Sequence, residues 1–332
     1  TDYNGGHVFP CAISLGTYAL VAPRTDGISR LYSMNVPEQG VVQFPMHGAV
    51  KSDAYGWANY PIGVVRVMED AGHRAAHGFD IVLYGTLPNG AGLSSSASIE
   101  VLMAVILDDE LNLGIDMVEL VKFSQKAENE FVGMNCGIMD QFISALGKDG
   151  HALLIDCRSL ETETAAIPDE LRVMIIDSKV QRGLVGSEYN TRREQCEAAA
   201  AHFGVKALRD VDLAQLQAAR NELDPLVYRR AHHVITENAR TLAAAQALRA
   251  HDVERLSTLM AESHASMRDD FAITVPPIDA LVEIVSAVIG KRGGVRMTGG
   301  GFGGCVVALV PESLVNEVTQ AVQRDYPARS GG

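Results

Sequence analysis

One stretch constrains this chain more than any other: Leu87-Pro88-Asn89-Gly90-Ala91-Gly92-Leu93-Ser94-Ser95-Ser96-Ala97-Ser98. It follows an alternating run (Phe79, Ile81, Leu83) that predicts a strand, and it leads into an apolar segment, Ala97 to Leu107, that predicts a helix. Strand, glycine turn, serine cluster and helix in that order suit the holding of phosphate. The first-turn N–H groups of a helix have no partner within it, and the helix dipole is positive there. Gly90 and Gly92 let the backbone come close without a Cβ in the way, and Ser94, Ser95 and Ser96 add hydroxyls as donors or as a metal ligand. The plainer reading is a Ser-capped helix after a glycine turn. No Gly-Lys-Ser/Thr follows, so the loop is not of the Walker type.

A polyphosphate ligand has to be reconciled with the charge of the chain. Its net charge of -13 argues against a nucleic-acid groove or an anionic membrane surface as partner. Such a protein must hold phosphate with backbone N–H groups, a metal and a few local cations. The five cysteines (Cys11, Cys136, Cys157, Cys196, Cys305) never form a Cys-x-x-Cys pair, which points to free thiols in a reducing compartment, the cytoplasm. The histidines are dispersed, with His232-His233 the one adjacent pair, so a zinc site is not expected. No run is long enough for a membrane span, and the start does not read as a signal peptide.

At 332 residues the length favours two domains, with a boundary expected near Gly147–Gly150. Before it, strands are expected at His7–Leu15, Thr17–Ala22, Ile28–Met34 and Phe79–Thr86, and helices at Trp57–Ala71, Ala97–Leu107 and Met117–Phe131. The last of these carries Glu128. A glycine-bounded break, Gly133–Gly137, then precedes a short helix opening at Ile138, which puts Asp140 near a helix N-terminus. For such an Asp, a capping or dipole role is the plain alternative. After the boundary, strands are expected at Ala152–Asp156 and Leu171–Asp177, with an extended stretch within Arg158–Pro168. Helix follows over Gly186–Phe203 and nearly all of 212–270, broken near Asp224-Pro225 and His251-Asp252. A helix over Asp279–Gly290, strands at Gly293–Met297 and Cys305–Val310, and a helix over Glu312–Tyr326 complete the pattern.

Between the last two strands lies Thr298-Gly299-Gly300-Gly301-Phe302-Gly303-Gly304, which formally contains G-x-G-x-x-G. A dinucleotide site would need a helix directly after it, whereas an apolar strand follows, so that reading fails. A purely structural turn is the plain alternative, but so many glycines carry a large entropic penalty, and the expected reason is close approach of backbone to a bound ligand.

Taken together, these motifs resemble the galactokinase family of the GHMP small-molecule kinases, which also include homoserine and mevalonate kinases. Gly90–Ser98 matches the family's second signature and Thr298–Gly304 its third. Thr1–Gly6 is similar to the tail of its first signature. Ala127–Phe131 with Gly137–Phe142 resembles the catalytic segment. Ser187-Glu188-Tyr189 with Arg192-Arg193, and Ser263–Asp270, resemble two further markers. The resemblance implies an α+β, two-domain GHMP-kinase fold. Residues 1–147 would form a ribosomal-protein-S5-domain-2-like domain and 148–332 a ferredoxin-like and helical one, with the active site in the cleft between them.

It also implies ATP-dependent phosphorylation of D-galactose at the anomeric hydroxyl by a cytoplasmic, monomeric enzyme with no nucleic-acid or membrane partner. Asp140 would be the base. Ser96 and Glu128 would hold Mg²⁺, which takes hard oxygen ligands and keeps waters. Gly90, Ala91, Gly92, Leu93, Ser94, Ser95 and Ser96 would cradle the phosphates of ATP. Asp2, Gly137, Asp140 and Tyr189 would read the sugar hydroxyls. Ser33 at the nucleoside end and Arg182 as a nearby positive charge are weaker carry-overs, with a strand Ser and a surface Arg as the plain alternatives.

The family signature places an Arg, a Glu and a His just before the position of Thr1, and a final strand after the position of Gly332. Neither is present, so the chain is expected to be a fragment of a longer kinase, inactive or nearly so and of low stability as it stands. Loss of a phosphate-directed Arg accounts for the first expectation, by analogy with the roughly 10³–10⁵-fold effect of arginine fingers. Two alternatives to the galactose kinase remain at this point: a non-catalytic galactose- and ATP-binding sensor, and a kinase for N-acetylgalactosamine or another sugar. Retention of Ser96, Glu128 and Asp140 together favours an enzyme over the sensor.

Overall fold

The computed structural model describes residues 2–88, 91–180 and 185–330, with the side chains of residues 185–187 left aside. The chain divides into two compact units. Ala12–Asn89 and Ser94–Gly147 make one; Thr1–Cys11, Gly90–Leu93 and Lys148–Gly332 make the other. In chain order the elements begin with β1 (His7–Val8), β2 (Thr17–Pro23), β3 (Ile28–Ser33), β4 (Val42–Pro45), α1 (Asn59–Asp70) and β5 (Phe79–Gly85). There follow α2 (Ser95–Glu110), α3 (Met117–Lys126), α4 (Met139–Leu146), β6 (His151–Asp156), β7 (Thr162–Ala166) and β8 (Leu171–Asp177). Helices α5 (Val185–His202), α6 (Leu213–Ala218), α7 (Pro225–Arg249), α8 (Val253–Asp269) and α9 (Pro276–Ile289) come next. The chain closes with β9 (Gly294–Met297), β10 (Cys305–Pro311) and α10 (Val315–Ser330).

In the first unit the strands lie in the order β2-β5-β3-β4. β2 pairs antiparallel with β5 (Tyr18 opposite Tyr84), β3 runs parallel to β5, and β4 is antiparallel to β3. Alternation decides the faces: Leu31, Phe44, Phe79, Ile81 and Leu83 point inward and share a core with Ile62, Met68, Met103 and Leu107 of α1 and α2. Tyr18, Leu20, Val82 and Tyr84 stay exposed. Helix α2 is apolar on nearly every side and is correspondingly buried, at Ala97, Val101, Met103, Ala104, Ile106 and Leu107.

The second unit contains two antiparallel three-stranded sheets, β1-β6-β7 and β8-β10-β9. Val295, Met297, Val306, Ala308 and Val310 pack with Val234, Met267, Ile278, Leu281 and Val285 of the helices. The N-terminal segment is tied down by long-range polar contacts. Arg209 Nη1 donates to Gly5 O at 2.8 Å, and Asn238 Oδ1 accepts the His7 N–H at 2.8 Å. The same Arg209 pairs with Asp156 and holds that carboxyl well below the usual carboxylate range.

Three sequence expectations change. The strand expected over His7–Leu15 shrinks to His7–Val8 with one bridge, Cys11 to Ala152. Pro10 lies in its middle and has no N–H to give a ladder, although its carbonyl accepts the Leu153 N–H at 2.8 Å. The helix expected over Met117–Phe131 leaves α geometry at Lys126 and continues as a π turn, Ala127–Val132. Finally, β4 had no predicted counterpart, being a four-residue edge strand ending at Pro45.

Gly78, where the chain enters β5, leaves no room for a side chain, since a Cβ there would lie 2.0 Å from Ile28 O. Gly78→Ala should therefore destabilise the protein by about 2–3 kcal/mol, the upper part of the overpacking range. Urea unfolding followed by circular dichroism checks this, and a loss below about 0.5 kcal/mol would contradict it.

Candidate active site

Ser96 and Glu100 stand four residues apart on α2 and so share one face of that helix. The π turn after α3 carries Glu128 towards them. Its wider winding closes on Gly133, at φ +90°, and the N–H groups of Gly133 and Met134 both donate to Glu128 O, at 2.9 and 3.0 Å. Such turns recur where a helix has to re-aim a side chain. The Ser96 hydroxyl lies near enough to the Glu128 carboxyl to favour its charged form. Gln141 of α4 bridges the two acids: its Nε2 donates to Glu128 Oε2 at 2.7 Å and to Glu100 Oε2 at 3.2 Å. Cys136 donates its thiol to Glu128 Oε2 at 3.4 Å.

This cluster is dry. Glu100 and Gln141 are 0% exposed, and Glu128 is buried as well. Burial pushes the Glu100 carboxyl well above the usual range, and the neighbouring Glu128 pushes it further. Burial also raises Glu128, but hydrogen bonds from Ser96, Cys136, Glu100 and Gln141 oppose that rise. Of the two acids, Glu100 is the more strongly raised. Tyr60 of α1 is pushed up to about 12 by burial and by Glu128, Glu100 and Cys136.

Asp140 is the second residue of α4, at the helix N-terminus that the glycine-bounded break predicts. Its carbonyl accepts the Ser144 hydroxyl at 2.8 Å, and its charge is among those that raise Glu100. Gly137 lies in the connection that enters α4. Ser33 ends β3 and is buried, and its hydroxyl accepts the Asn35 N–H at 3.2 Å, a local turn contact. Gly90 and Arg182 lie outside the described residues. Further along the loop, Ala91 is buried, Gly92 takes φ +75° and Ser94 takes φ +59°. Among the described residues Ser94 makes no side-chain cap bond, so α2 is not the plain Ser-capped helix. Ser95 opens α2, with Leu93 just before the turn.

In the other unit, Asp2 Oδ1 accepts the Tyr3 N–H at 3.1 Å, and the edge of the Tyr3 ring meets Tyr189 of α5 at 5.5 Å between centroids. Thr298–Gly304 is a hairpin loop between β9 and β10, as the strand after it requires. Two of its glycines are required by the protein's own backbone. A Cβ on Gly301 would lie 2.5 Å from Ile273 O, and one on Gly303 2.7 Å from Val180 O, both at positive φ. Backbone of the protein itself fills that space. At Gly300 the Tyr189 ring lies 3.4 Å from the position a Cβ would take.

Glu100 and Gln141 had no role assigned from sequence. One signal was available: an acid in the middle of an otherwise apolar helix, four residues after Ser96, must be buried beside it. Nothing in the sequence shows that Gln141 turns inward to join them.

Three family models match the chain: the GHMP kinases N terminal domain over residues 59–148, the GHMP kinases C terminal over 244–328, and the galactokinase galactose-binding signature over 1–23. Among solved structures, the chain is similar to Lactococcus lactis galactokinase complexed with galactose, at 36% identity and a TM-score of 0.96. That match covers 100% of this chain and 87% of the other. Methanococcus jannaschii mevalonate kinase (17% identity, TM-score 0.67) matches over 97% of this chain and 90% of its own. For Streptococcus pneumoniae phosphomevalonate kinase in complex with phosphomevalonate and AMPPNP the figures are 14%, 0.66, 98% and 91%. These last two share the fold.

The buried acid carries a pH signature. Above its ordinary value and below its raised one, Glu100 keeps in the folded state a proton that the unfolded chain has released, so stability falls as pH rises through that window. Glu100→Gln keeps one donor for Glu128 and one acceptor for Gln141 without a titrating proton. Its stability should therefore vary less with pH than the parent's, measured by urea unfolding between about pH 4 and 8. Parallel profiles for the two proteins would contradict this.

Proposed function

The chain belongs to the galactokinase family of the GHMP kinases, and on that premise we propose that it transfers the γ-phosphoryl group of ATP to the anomeric hydroxyl of D-galactose, giving galactose 1-phosphate. It is a sugar kinase. The family match favours neither a non-catalytic sensor nor a kinase for another sugar. The observation that carries the residue assignment is the Ser96–Glu128–Gln141 network, adjoining Asp140 on the first turn of α4.

Asp140 accepts the proton of the anomeric hydroxyl as that oxygen bonds to the γ-phosphorus. The bond from phosphorus to the β,γ-bridging oxygen breaks, and ADP leaves. Its place in the first helical turn favours negative charge at that carboxylate. Gly137 contributes at the sugar through its backbone. Asp2 and Tyr189 contribute to sugar recognition, Tyr189 presenting a ring held by Tyr3. Ala91, Gly92, Leu93, Ser94, Ser95 and Ser96 supply N–H groups and hydroxyls for the phosphates, with Ser33 towards the nucleoside.

Ser96 and Glu128 bring a hydroxyl and a carboxyl oxygen near each other, a set that fits Mg²⁺ held by one carboxylate and substrate phosphates. When bound, the ion neutralises phosphate charge. Gln141 and Cys136 hold the Glu128 carboxylate in place for it. The enzyme acts as a monomer in the cytoplasm, a reading supported by its use of ATP and by five free thiols. No helix among the described residues is long and apolar enough to cross a membrane.

Asp140→Asn should lower turnover by about 10²–10⁴-fold while galactose still binds, measured by coupled ADP release and by calorimetry on the full-length protein. Turnover within tenfold of the parent would remove Asp140 as the base. Glu128→Gln should raise the Mg²⁺ concentration for half-maximal rate by about tenfold or more. In the parent that concentration should fall as pH rises, because the ion requires the charged carboxylate and burial raises the Glu128 carboxyl above its ordinary range.

A further inference from the structure

Arg192 lies on α5 one turn beyond Tyr189, yet it is 8% exposed and directed into its own unit. Its guanidinium forks onto two consecutive carbonyls just past the end of α8. Nε donates to Phe271 O at 2.9 Å and Nη2 to Ala272 O at 3.0 Å. Nη1 donates to Glu188 Oε2 at 3.3 Å, and the planar group stands 5.5 Å from the centre of the Phe302 ring. Two of these partners are strained. Ala272 takes φ +50° and Phe302 takes φ +61°, the left-handed region that side chains rarely adopt and that persists only when the surroundings enforce it.

The same contacts reach the glycine hairpin. Phe302 donates its N–H to Ile273 O at 2.7 Å, next to the carbonyls that Arg192 holds. Two residues earlier, the Tyr189 ring lies 3.4 Å from the position a Cβ on Gly300 would take. One side chain therefore connects the helix that carries Tyr189, the turn after α8 and the hairpin loop against which Tyr189 rests.

We propose that Arg192 is a positioning residue for sugar binding, its fork on Phe271 and Ala272 and its cation–π contact with Phe302 setting where the Tyr189 ring lies beside Gly300. The proposal rests on the reading that Tyr189 contacts the sugar. Arginine is required for geometric reasons: two carbonyls are bridged by donors in a fixed plane whose face also covers an aromatic ring. Lysine offers a compact charge that does neither.

The test uses the full-length protein labelled with 3-fluorotyrosine, the Tyr189 resonance being assigned by its loss in Tyr189→Phe. Galactose and ATP dissociation constants come from calorimetry. Arg192→Lys and Arg192→Gln should each weaken galactose binding about tenfold, leave ATP binding within about twofold, and shift the Tyr189 fluorine resonance. Tyr189→Phe should weaken galactose binding, and adding Arg192→Gln to it should cause no further loss. If Arg192→Gln does not fold, Arg192→Lys decides. The proposal is overturned if Tyr189→Phe weakens galactose binding while the Arg192 variants lower only the melting temperature, with galactose affinity and the resonance unmoved. Wild-type galactose affinity in Tyr189→Phe would instead overturn the sugar-contact reading of Tyr189, and the proposal with it.

Discussion

Two carboxyl groups buried beside each other dominate the first unit. Both cannot be ionised in an interior of low polarity, so Glu100 and Glu128 divide the work. Burial raises both carboxyls, the deeper Glu100 further, while Glu128 accepts hydrogen bonds from Cys136 and Gln141 that oppose its rise. Every helix of the unit supplies something to that arrangement. Tyr60 comes from α1, Ser96 and Glu100 from α2, Glu128 from the π turn after α3, and Gln141 from α4. A polar network of this kind is stabilising only when its members meet together, so it also dictates how the four helices pack.

In the second unit an arginine takes the comparable place. Arg192 satisfies carbonyls left at the end of a helix and holds non-glycine residues at positive φ. The glycine hairpin is tight for the same local reason. Gly301 and Gly303 lie where the backbone of Ile273 and Val180 leaves no space for a Cβ. A glycine-rich run next to a proposed site is readily credited to a ligand, yet here neighbouring chain suffices to explain two of its members.

The fold was largely legible because its signals are local. The alternation of Phe79, Ile81 and Leu83 marks β5, the apolar stretch from Ala97 marks α2, and Asp224-Pro225 and His251-Asp252 separate the long helices. Errors fell where tertiary contacts override local preference. A proline cut the expected N-terminal strand to two residues, and a π turn replaced the end of α3. The short edge strand β4 had too few residues to show a period.

For the site, the sequence alone determined residue types and spacing: a serine cluster at a helix start, an acid on the next helical stretch, an aspartate just after a glycine-bounded break. The family was identified by resemblance, through several ordered signatures that include these groups. Tertiary structure alone decided which partners the groups meet. That Ser96 comes to lie near Glu128, that Gln141 turns inward to bridge two acids, and that Arg192 reaches carbonyls 79 and 80 residues away follow from packing between elements distant in the chain. A linear pattern records the period of each helix, but not the rotation at which one helix faces another, and hydrogen bonds depend on that rotation.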